Sequence, residues 1–150
     1  MRRIGLALII LVFGASAALA DAMAINTGNI KWGDAPPIFP KGAKFAVISG
    51  DPGAKGIFVV RMKLPANYRI PAHNHPMTEY VTVLSGALYI GMGDKLDLSN
   101  GTKLTVGGFA EAPPGMNHYA WTTGATVIQV EAEGPFGMTY VNPTNEPTKK

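Results

Sequence analysis

The chain has 150 residues, a formal net charge of +3, 18 glycines, 12 prolines and no cysteine. This length fits one domain with a single hydrophobic core. The lack of cysteine excludes disulfides and thiolate metal ligands, and because no stripe of lysine or arginine is present, we expect no nucleic-acid partner.

The first twenty residues have the pattern of a secretory signal peptide. Arg2 and Arg3 precede an uncharged apolar run from Ile4 to Leu19, and Ala18-Leu19-Ala20 is a small-x-small cleavage site. We predict cleavage after Ala20, export to the periplasm or the medium, and no stable membrane anchor afterwards. The alternative, a retained anchor, needs about 20 apolar residues, whereas this run is short and rich in Gly and Ala. Cleavage removes two of the 13 basic residues, which leaves eleven against ten acidic ones.

The remaining residues are predicted to form an all-β domain. Short runs rich in Val, Ile, Phe, Tyr and Thr alternate with turns that contain Gly and Pro, and no segment shows a sustained helical period. Many short strands in one chain indicate a sandwich or a barrel. We assign residues 21–44 to an N-terminal arm with one strand around Ile30–Trp32, residues 45–141 to the barrel, and residues 142–150 to a flexible tail. The predicted barrel strands are Phe45–Ile48, Gly56–Leu64, Tyr68–His75, Glu79–Leu84, Ala87–Met92, Lys103–Val106, Gly108–Ala112, His118–Thr122, Thr126–Ala132 and Met138–Val141.

The three histidines of the chain lie in two short segments, which suggests that a metal ion gathers them. Residues two apart on a strand share a face, so His73 and His75 can hold one ion only if their segment is extended, and the flanking prolines favour that. On a straight strand Glu79 would lie about 13 Å beyond His75, so the chain must bend at Pro76-Met77-Thr78 to bring it back. A cation would relieve the cost of burying this carboxylate. His118 would begin a later strand, which closure of a barrel could bring opposite the others.

The spacing of these residues resembles the two motifs of the cupin superfamily. His73-Asn74-His75, three residues, Glu79, six residues and Gly86 resemble the first motif. Gly107, five residues, Pro113-Pro114-Gly115, two residues and His118 resemble the second.

The resemblance covers residues 56–132 and implies a jelly-roll β-barrel. It also implies that one metal ion is bound by His73, His75, Glu79 and His118. Two positions that are not ligands depart from the motifs: Asn67 stands where a glycine is frequent, and Thr122 where an asparagine is frequent.

Several other side chains have two interpretations. Strand parity places Tyr80, Tyr119 and Trp121 on the outside, where we expect sheet packing or homodimer contacts in preference to substrate contacts. Glu111 is interpreted as a solvated rim carboxylate, with a general acid or base as the alternative. Four further residues are predicted to belong to the core: Met77, Met92, Phe109 and Met138.

A site of three imidazoles and one carboxylate suits several divalent metals. The ligand set favours Mn(II) or Fe(II), with Ni, Co or Zn as alternatives, and in an octahedral ion it leaves two adjacent positions free. The leading hypothesis is therefore an exported metalloenzyme, a dioxygenase-type oxidoreductase or a lyase, whose substrate is a small oxygenated molecule. The second is a non-catalytic protein that binds or senses a small ligand through the metal. A third, metal storage or structural zinc, would require a closed four-coordinate ion.

Overall fold

The computed structural model of the protein describes residues 23–149. Within this range there are eleven strands and three short 3-10 turns, at Thr27–Asn29, Pro143–Asn145 and Pro147–Lys149. The predicted signal peptide lies outside the described residues. None of the helical turns in the described range is long and apolar enough to cross a membrane. The strands are β1 (Gly33–Asp34), β2 (Lys44–Ser49), β3 (Gly56–Leu64), β4 (Arg69–Asn74), β5 (Glu79–Ser85), β6 (Leu88–Met92), β7 (Thr102–Leu104), β8 (Phe109–Ala112), β9 (His118–Thr122), β10 (Thr126–Gly134) and β11 (Thr139–Tyr140).

The strands form two antiparallel sheets that enclose one core. The six-stranded sheet has the order β1-β2-β3-β10-β5-β8, and the five-stranded sheet has the order β11-β4-β9-β6-β7. The chain crosses from one sheet to the other between β4 and β5 and again between β5 and β6. Two sheets joined in this way form a jelly roll, which confirms the all-β prediction.

The core is built from the inward-facing residues of both sheets. On β3 the buried positions alternate with more exposed ones, as the burial of Phe58, Val60 and Met62 shows. Ile128 and Val130 on the neighbouring β10 pack in the same cluster. Burying a large apolar side chain stabilises the fold by about 1.5–3 kcal/mol. Because the chain has no cysteine, this core has to stabilise the domain without covalent cross-links.

The predicted strands agree closely with those observed in the barrel. β3 and β9 have the predicted bounds, and every other barrel strand begins and ends within two residues of its prediction. The arm differs, because its strand is β1 at Gly33–Asp34, where it pairs with Lys44 and Phe45, and not Ile30–Trp32. Trp32 instead lies under the ammonium group of Lys63, at 4.3 Å from the ring centre.

Two of the four further residues that were predicted to belong to the core are on the surface. Met77 and Met138 pack against the core. Met92 and Phe109, in contrast, are 47% and 56% exposed, so their assignment to the core was wrong. Phe109 lies on the edge strand β8, on the outer face, where its ring stacks on Tyr80 at 6.1 Å.

Tyr119 and Trp121 lie on the outer face of β9, as parity predicts, yet both are buried. The Tyr119 hydroxyl donates a hydrogen bond to the carbonyl of Asn100 at 2.6 Å, and the Trp121 ring stacks on Tyr89 at 5.0 Å. Leu96 packs on the same cluster. These two aromatic residues therefore serve sheet packing within the chain and offer no surface for a dimer contact.

A β-bulge in β4 determines which way the first histidine points. Ile70 pairs with Ala120 and His73 pairs with His118, so three steps along β4 match two along β9. Without the extra residue, Ile70 and His73 would face opposite sides, since side chains alternate along a strand. With it, both face the barrel interior, while Ala72 packs on the outer face. Proline lacks an N–H for the ladder, and Pro71 lies at this irregularity.

Gly86, in the first motif, lies at the crossing between β5 and β6 and has a φ of +74°. A Cβ there would approach the carbonyl oxygen of Ala125 to 2.4 Å. Gly107, in the second motif, has a similar φ of +80°, but a Cβ there would meet nothing within 4 Å.

These two glycines form a matched pair for a stability test. Gly107→Ala is expected to lower the free energy of unfolding by about 1 kcal/mol, because it adds only backbone strain. Gly86→Ala adds a clash with the backbone as well, and we expect a loss of about 3 kcal/mol. Urea unfolding measures both, and equal losses would contradict the close approach at Gly86.

Candidate metal centre

Four polar side chains meet inside the barrel. His73 on β4 pairs with His118 on β9, His75 follows the end of β4, and Glu79 begins β5 in the other sheet. The ligand atoms of the three histidines lie within 4.8 Å of one another. One carboxylate oxygen of Glu79, Oε1, lies 3.6 Å from His75 Nε2, and the other, Oε2, lies 3.3 Å from His118 Nε2. The bend at Pro76 that this convergence requires is the crossing between the two sheets.

The second nitrogen of each ring is fixed by a backbone carbonyl. The Nδ1 atoms of His73, His75 and His118 lie 2.7, 2.7 and 2.9 Å from the carbonyl oxygens of Pro71, Gly137 and Met116. A carbonyl only accepts hydrogen bonds, so each Nδ1 carries the proton. In the neutral rings the lone pairs are therefore on Nε2, which is the arrangement of metal-binding histidines.

These residues fit a metal ion. The Nε2 atoms of His75 and His118 are buried and have no hydrogen-bond partner of good geometry within residues 23–149. The distances from these atoms to Glu79 exceed the 2.7–2.9 Å of charge-assisted hydrogen bonds. Among the described residues, only these two histidines form ion pairs with Glu79, and no lysine or arginine does so. A bound cation would satisfy both nitrogens and the buried carboxylate together.

The protonation of these groups follows from their burial and their neighbours. Burial, together with the field of His118, lowers the pKa of His73 to about 3, so this ring is neutral near pH 7. Burial favours a higher pKa for Glu79, but the contact with His118 and the fields of the other imidazoles outweigh it, and the pKa is lowered. For His118, burial opposes the charge, yet Glu79 raises its pKa overall. The carboxylate is therefore ionised and available as a ligand.

The walls around these four residues are apolar. A cavity of about 30 Å³ beside His73, Glu79 and His118 contains no other polar side chain, since its remaining lining residues are Phe39, Met62, Ile70, Val81, Leu88, Ile90, Ala120, Ile128 and Val130. On the opposite face, Asn74 donates a hydrogen bond to Asn117, which in turn donates to Asp94, both at 2.7 Å. This chain of side chains ties the segment between the two histidines to the start of β9.

All four residues predicted from the motifs lie together, and the other candidates lie elsewhere. Glu111 is exposed on the outer face of β8 opposite Tyr80, which fits a solvated carboxylate. Sequence reasoning missed Gly137, whose carbonyl orients His75, and Phe136, whose ring lies 4.8 Å from the His75 ring. It also missed the role of Pro71, although a proline inside a predicted strand is a known signal of a bulge.

Residues 60–131 match the family model of the cupin domain, and this segment contains all four residues of the centre. No curated protein matches the sequence. Solved structures with the same fold include the polyketide cyclase RemF from Streptomyces resistomycificus, at 16% identity and a TM-score of 0.71 over 86% of this chain and 92% of that one. The match identifies residues 60–131 as a cupin domain.

Two further similar structures are enzymes of different classes. The DMSP lyase DddQ from Ruegeria pomeroyi has 18% identity and a TM-score of 0.61, over 77% of this chain and 63% of that one. A variant of salicylate 1,2-dioxygenase from Pseudoaminobacter salicylatoxidans has 14% identity and a TM-score of 0.54, over 65% and 30% of the two chains. At these identities the likeness concerns the fold, and the reaction has to be argued from the site.

Proposed function

We propose that this protein is an exported, mononuclear metal-dependent cupin enzyme that acts on a small oxygenated molecule, as a dioxygenase-type oxidoreductase or, alternatively, as a lyase. His73, His75, Glu79 and His118 would hold one divalent ion, with Mn(II) or Fe(II) favoured. The observation that carries the proposal is the set of buried imidazoles whose Nδ1 atoms are tied to carbonyls, beside a buried carboxylate. Export rests on the leader pattern of residues 1–20.

The ion would supply Lewis-acid polarisation of a bound enol, carbonyl or carboxylate and a common binding point for substrate and dioxygen. The residues of the chain orient the imidazoles and exclude water. The three carbonyl contacts hold the imidazoles in one tautomer and orientation, which reduces the reorganisation needed during the reaction. The apolar walls exclude water, so the field of the centre acts on the substrate with little screening.

The cavity lining favours the oxidoreductase over a lyase that acts by proton abstraction. Such a lyase needs a general base to remove a proton from its substrate. The only titratable side chains that line the cavity beside the centre are His73, Glu79 and His118. Because all three are proposed ligands, no independent base is left among these lining residues. A lyase of this type would have to release Glu79 from the metal to take the proton.

The proposal is tested with protein recovered from the compartment to which its host exports it. The chain is expected to begin at Asp21 and to contain about one Mn or Fe ion, by mass spectrometry and elemental analysis. The metal-loaded protein is then assayed for oxygen uptake and product with enols, diketones, flavonols and 2-oxo acids. We expect turnover on the order of 1–10 per second on at least one class, and loss of more than about 100-fold in His118→Ala.

Other outcomes of these measurements would identify one of the alternative functions or contradict the predicted cleavage. Product without oxygen uptake would identify the lyase. Saturable binding by calorimetry without any product would identify the non-catalytic binding protein. Purification with a four-coordinate zinc ion and no exchangeable water would favour the structural site. A chain that retains residues 1–20 would contradict cleavage after Ala20.

A further inference from the structure

Four phenylalanines surround a second small cavity that reaches Glu79. This cavity measures about 20 Å³, and Glu79 is its only polar or charged lining side chain. The chain has six phenylalanines, so most of them are gathered at this one place. The apolar lining residues are Phe39, Phe45, Pro52, Phe58, Val60, Met62, Val130 and Phe136.

The phenylalanine-lined cavity and the cavity beside the histidines are separated by very little. Phe39, Met62, Glu79 and Val130 line both of them. The Phe39 ring also stacks on Phe136 at 6.5 Å, and Phe136 in turn lies against His75. A smaller side chain at position 39 would therefore join the two spaces into one apolar cavity next to the metal centre.

Phe39 also borders the solvent. It belongs to the N-terminal strap, which we define as residues 35–43, and it lines an open surface pocket of about 460 Å³ on the outer side of this strap. The strap is fastened on either side of Phe39, because the Tyr140 hydroxyl donates to the carbonyl of Ile38 at 2.8 Å and the Tyr68 hydroxyl donates to that of Pro40. Burial raises the pKa of Tyr140 to about 12 and also raises that of Tyr68, so both keep the donated proton.

We propose that the phenylalanine-lined cavity receives the apolar part of the substrate and that Phe39 determines how large this part can be. This inference rests on the proposed function and names its substrate class: a small molecule with one oxygenated head, held at the centre, and a short aliphatic body, because a cavity of about 20 Å³ admits only a methyl-sized group while Phe39 is in place. Sugars, polyols and dicarboxylic acids do not fit, because Glu79 is the only polar side chain of the lining and their other oxygens would be buried without partners.

The first experiment uses protein stripped of metal, so that it does not depend on the proposed function. Toluene is titrated into wild type, Phe39→Leu and Phe109→Leu, and the chemical shifts of side-chain methyl groups are followed by NMR. Enlarged apolar cavities stay dry and take up small aromatic molecules. We expect Phe39→Leu to bind toluene at least tenfold more tightly than wild type, with shifts at Val60, Met62 and Val130. Phe109→Leu, which alters an exposed ring, should match wild type.

The second experiment asks whether the same cavity selects the ligand of the metal centre. Metal-loaded protein is titrated by calorimetry with acetylacetone, benzoylacetone and tartrate, which share oxygenated heads but differ in their bodies. Phe39→Leu is expected to shift the ratio of affinities towards benzoylacetone at least tenfold, whereas Phe39→Trp should shift it towards acetylacetone. Phe109→Leu should leave the ratio unchanged, and tartrate should bind most weakly to all four proteins.

The two experiments separate the failure of this inference from that of the proposed function. Unchanged toluene binding in Phe39→Leu, or shifts confined to other parts of the molecule, would overturn the inference even if the enzyme turned over a substrate. The same holds for an affinity ratio that neither Phe39 variant alters, or for tartrate as the tightest ligand. Toluene binding at the predicted residues without any turnover would instead support the inference and count against the enzyme.

Discussion

Replacement of Glu79 by glutamine is expected to abolish the stabilisation of this protein by its metal. A ligand that binds only the folded state at 100 times its Kd stabilises that state by about 2.7 kcal/mol, which for a domain of this size raises the Tm by roughly 10 °C. Wild type should show this rise when Mn(II) or Fe(II) is added after chelation. In Glu79→Gln the only anionic ligand is gone, and we expect the affinity to fall by more than about 100-fold, which cancels the rise.

The same substitution should have little effect on the protein stripped of metal. Glu79 is buried between His75 and His118. The main cost of breaking a buried ion pair is an uncompensated charge, and an imidazole without Glu79 beside it can be neutral, so no such charge is left. We therefore expect a change in the free energy of unfolding within about 1 kcal/mol at pH 7.

Calorimetric scans with and without metal measure both effects of Glu79→Gln. Glu111→Gln is the control, since Glu111 is a solvated carboxylate on the outer face of β8. It should behave as wild type in both states. A large loss of stability in metal-stripped Glu79→Gln, with the metal response intact, would identify Glu79 as a structural ion-pair partner and would remove it from the ligand set.

Acidification of the metal-stripped protein is expected to destabilise it strongly through His73. The folded pKa of His73 is about 3, below the ordinary value of 6.5. Between these two values the unfolded chain binds the proton and the folded protein does not, so stability is lost as the pH falls from 6.5 towards 3. At about 1.4 kcal/mol per pH unit, the loss between pH 6.5 and pH 4 is about 3 kcal/mol.

Glu79 and His118, whose pKa values are also shifted, do not reverse this trend. The contribution of Glu79, whose pKa is lowered, is present above its ordinary value of 4.5 and is lost only as the pH falls through its folded pKa. The contribution of His118, whose pKa is raised, is fully present below 6.5 and is lost as the pH rises through its folded pKa. Below pH 6.5 the dominant change therefore comes from His73.

Urea unfolding at pH 7 and at pH 4 measures the effect of acid. His73→Asn is the matched variant, because its side-chain amide does not titrate and can still donate to the Pro71 carbonyl. We expect its stability to depend on pH by less than half as much as that of wild type in this interval. An equal dependence in both proteins would show that the pKa of His73 is not lowered by its surroundings.

The sequence determined much of this structure, and the limits have a physical origin. A strand such as β3 was predictable because one side of it faces the core and alternation marks that side. The four residues of the centre were predictable because their spacing resembles the cupin motifs, whereas the geometry of a strand alone links only His73 and His75. The surface position of Phe109 was not, because an apolar side chain on an edge strand can face either side, and only the pairing of β8 with β5 decides which.

The contact between Phe39 and Phe136 beside the centre could not be predicted from a local sequence pattern either. Phe39 and Phe136 are 97 residues apart in the sequence. They meet only because the N-terminal strap and the segment after β10 pack over the same end of the core. No periodicity links such positions, and in the sequence both residues are indistinguishable from ordinary core phenylalanines.

The bulge at Pro71 has a consequence for how the domain reaches its native state. If β4 paired without the extra residue, the side chains of Ala72 and Asn74 would point into the barrel. His73 and His75 would then point to the outer face. That pairing would bury an amide without a partner and would leave no place for an ion. An ion present while the sheet forms would stabilise only chains with the native pairing. The metal would then act on folding as well as on chemistry, by selecting between two alignments of one strand.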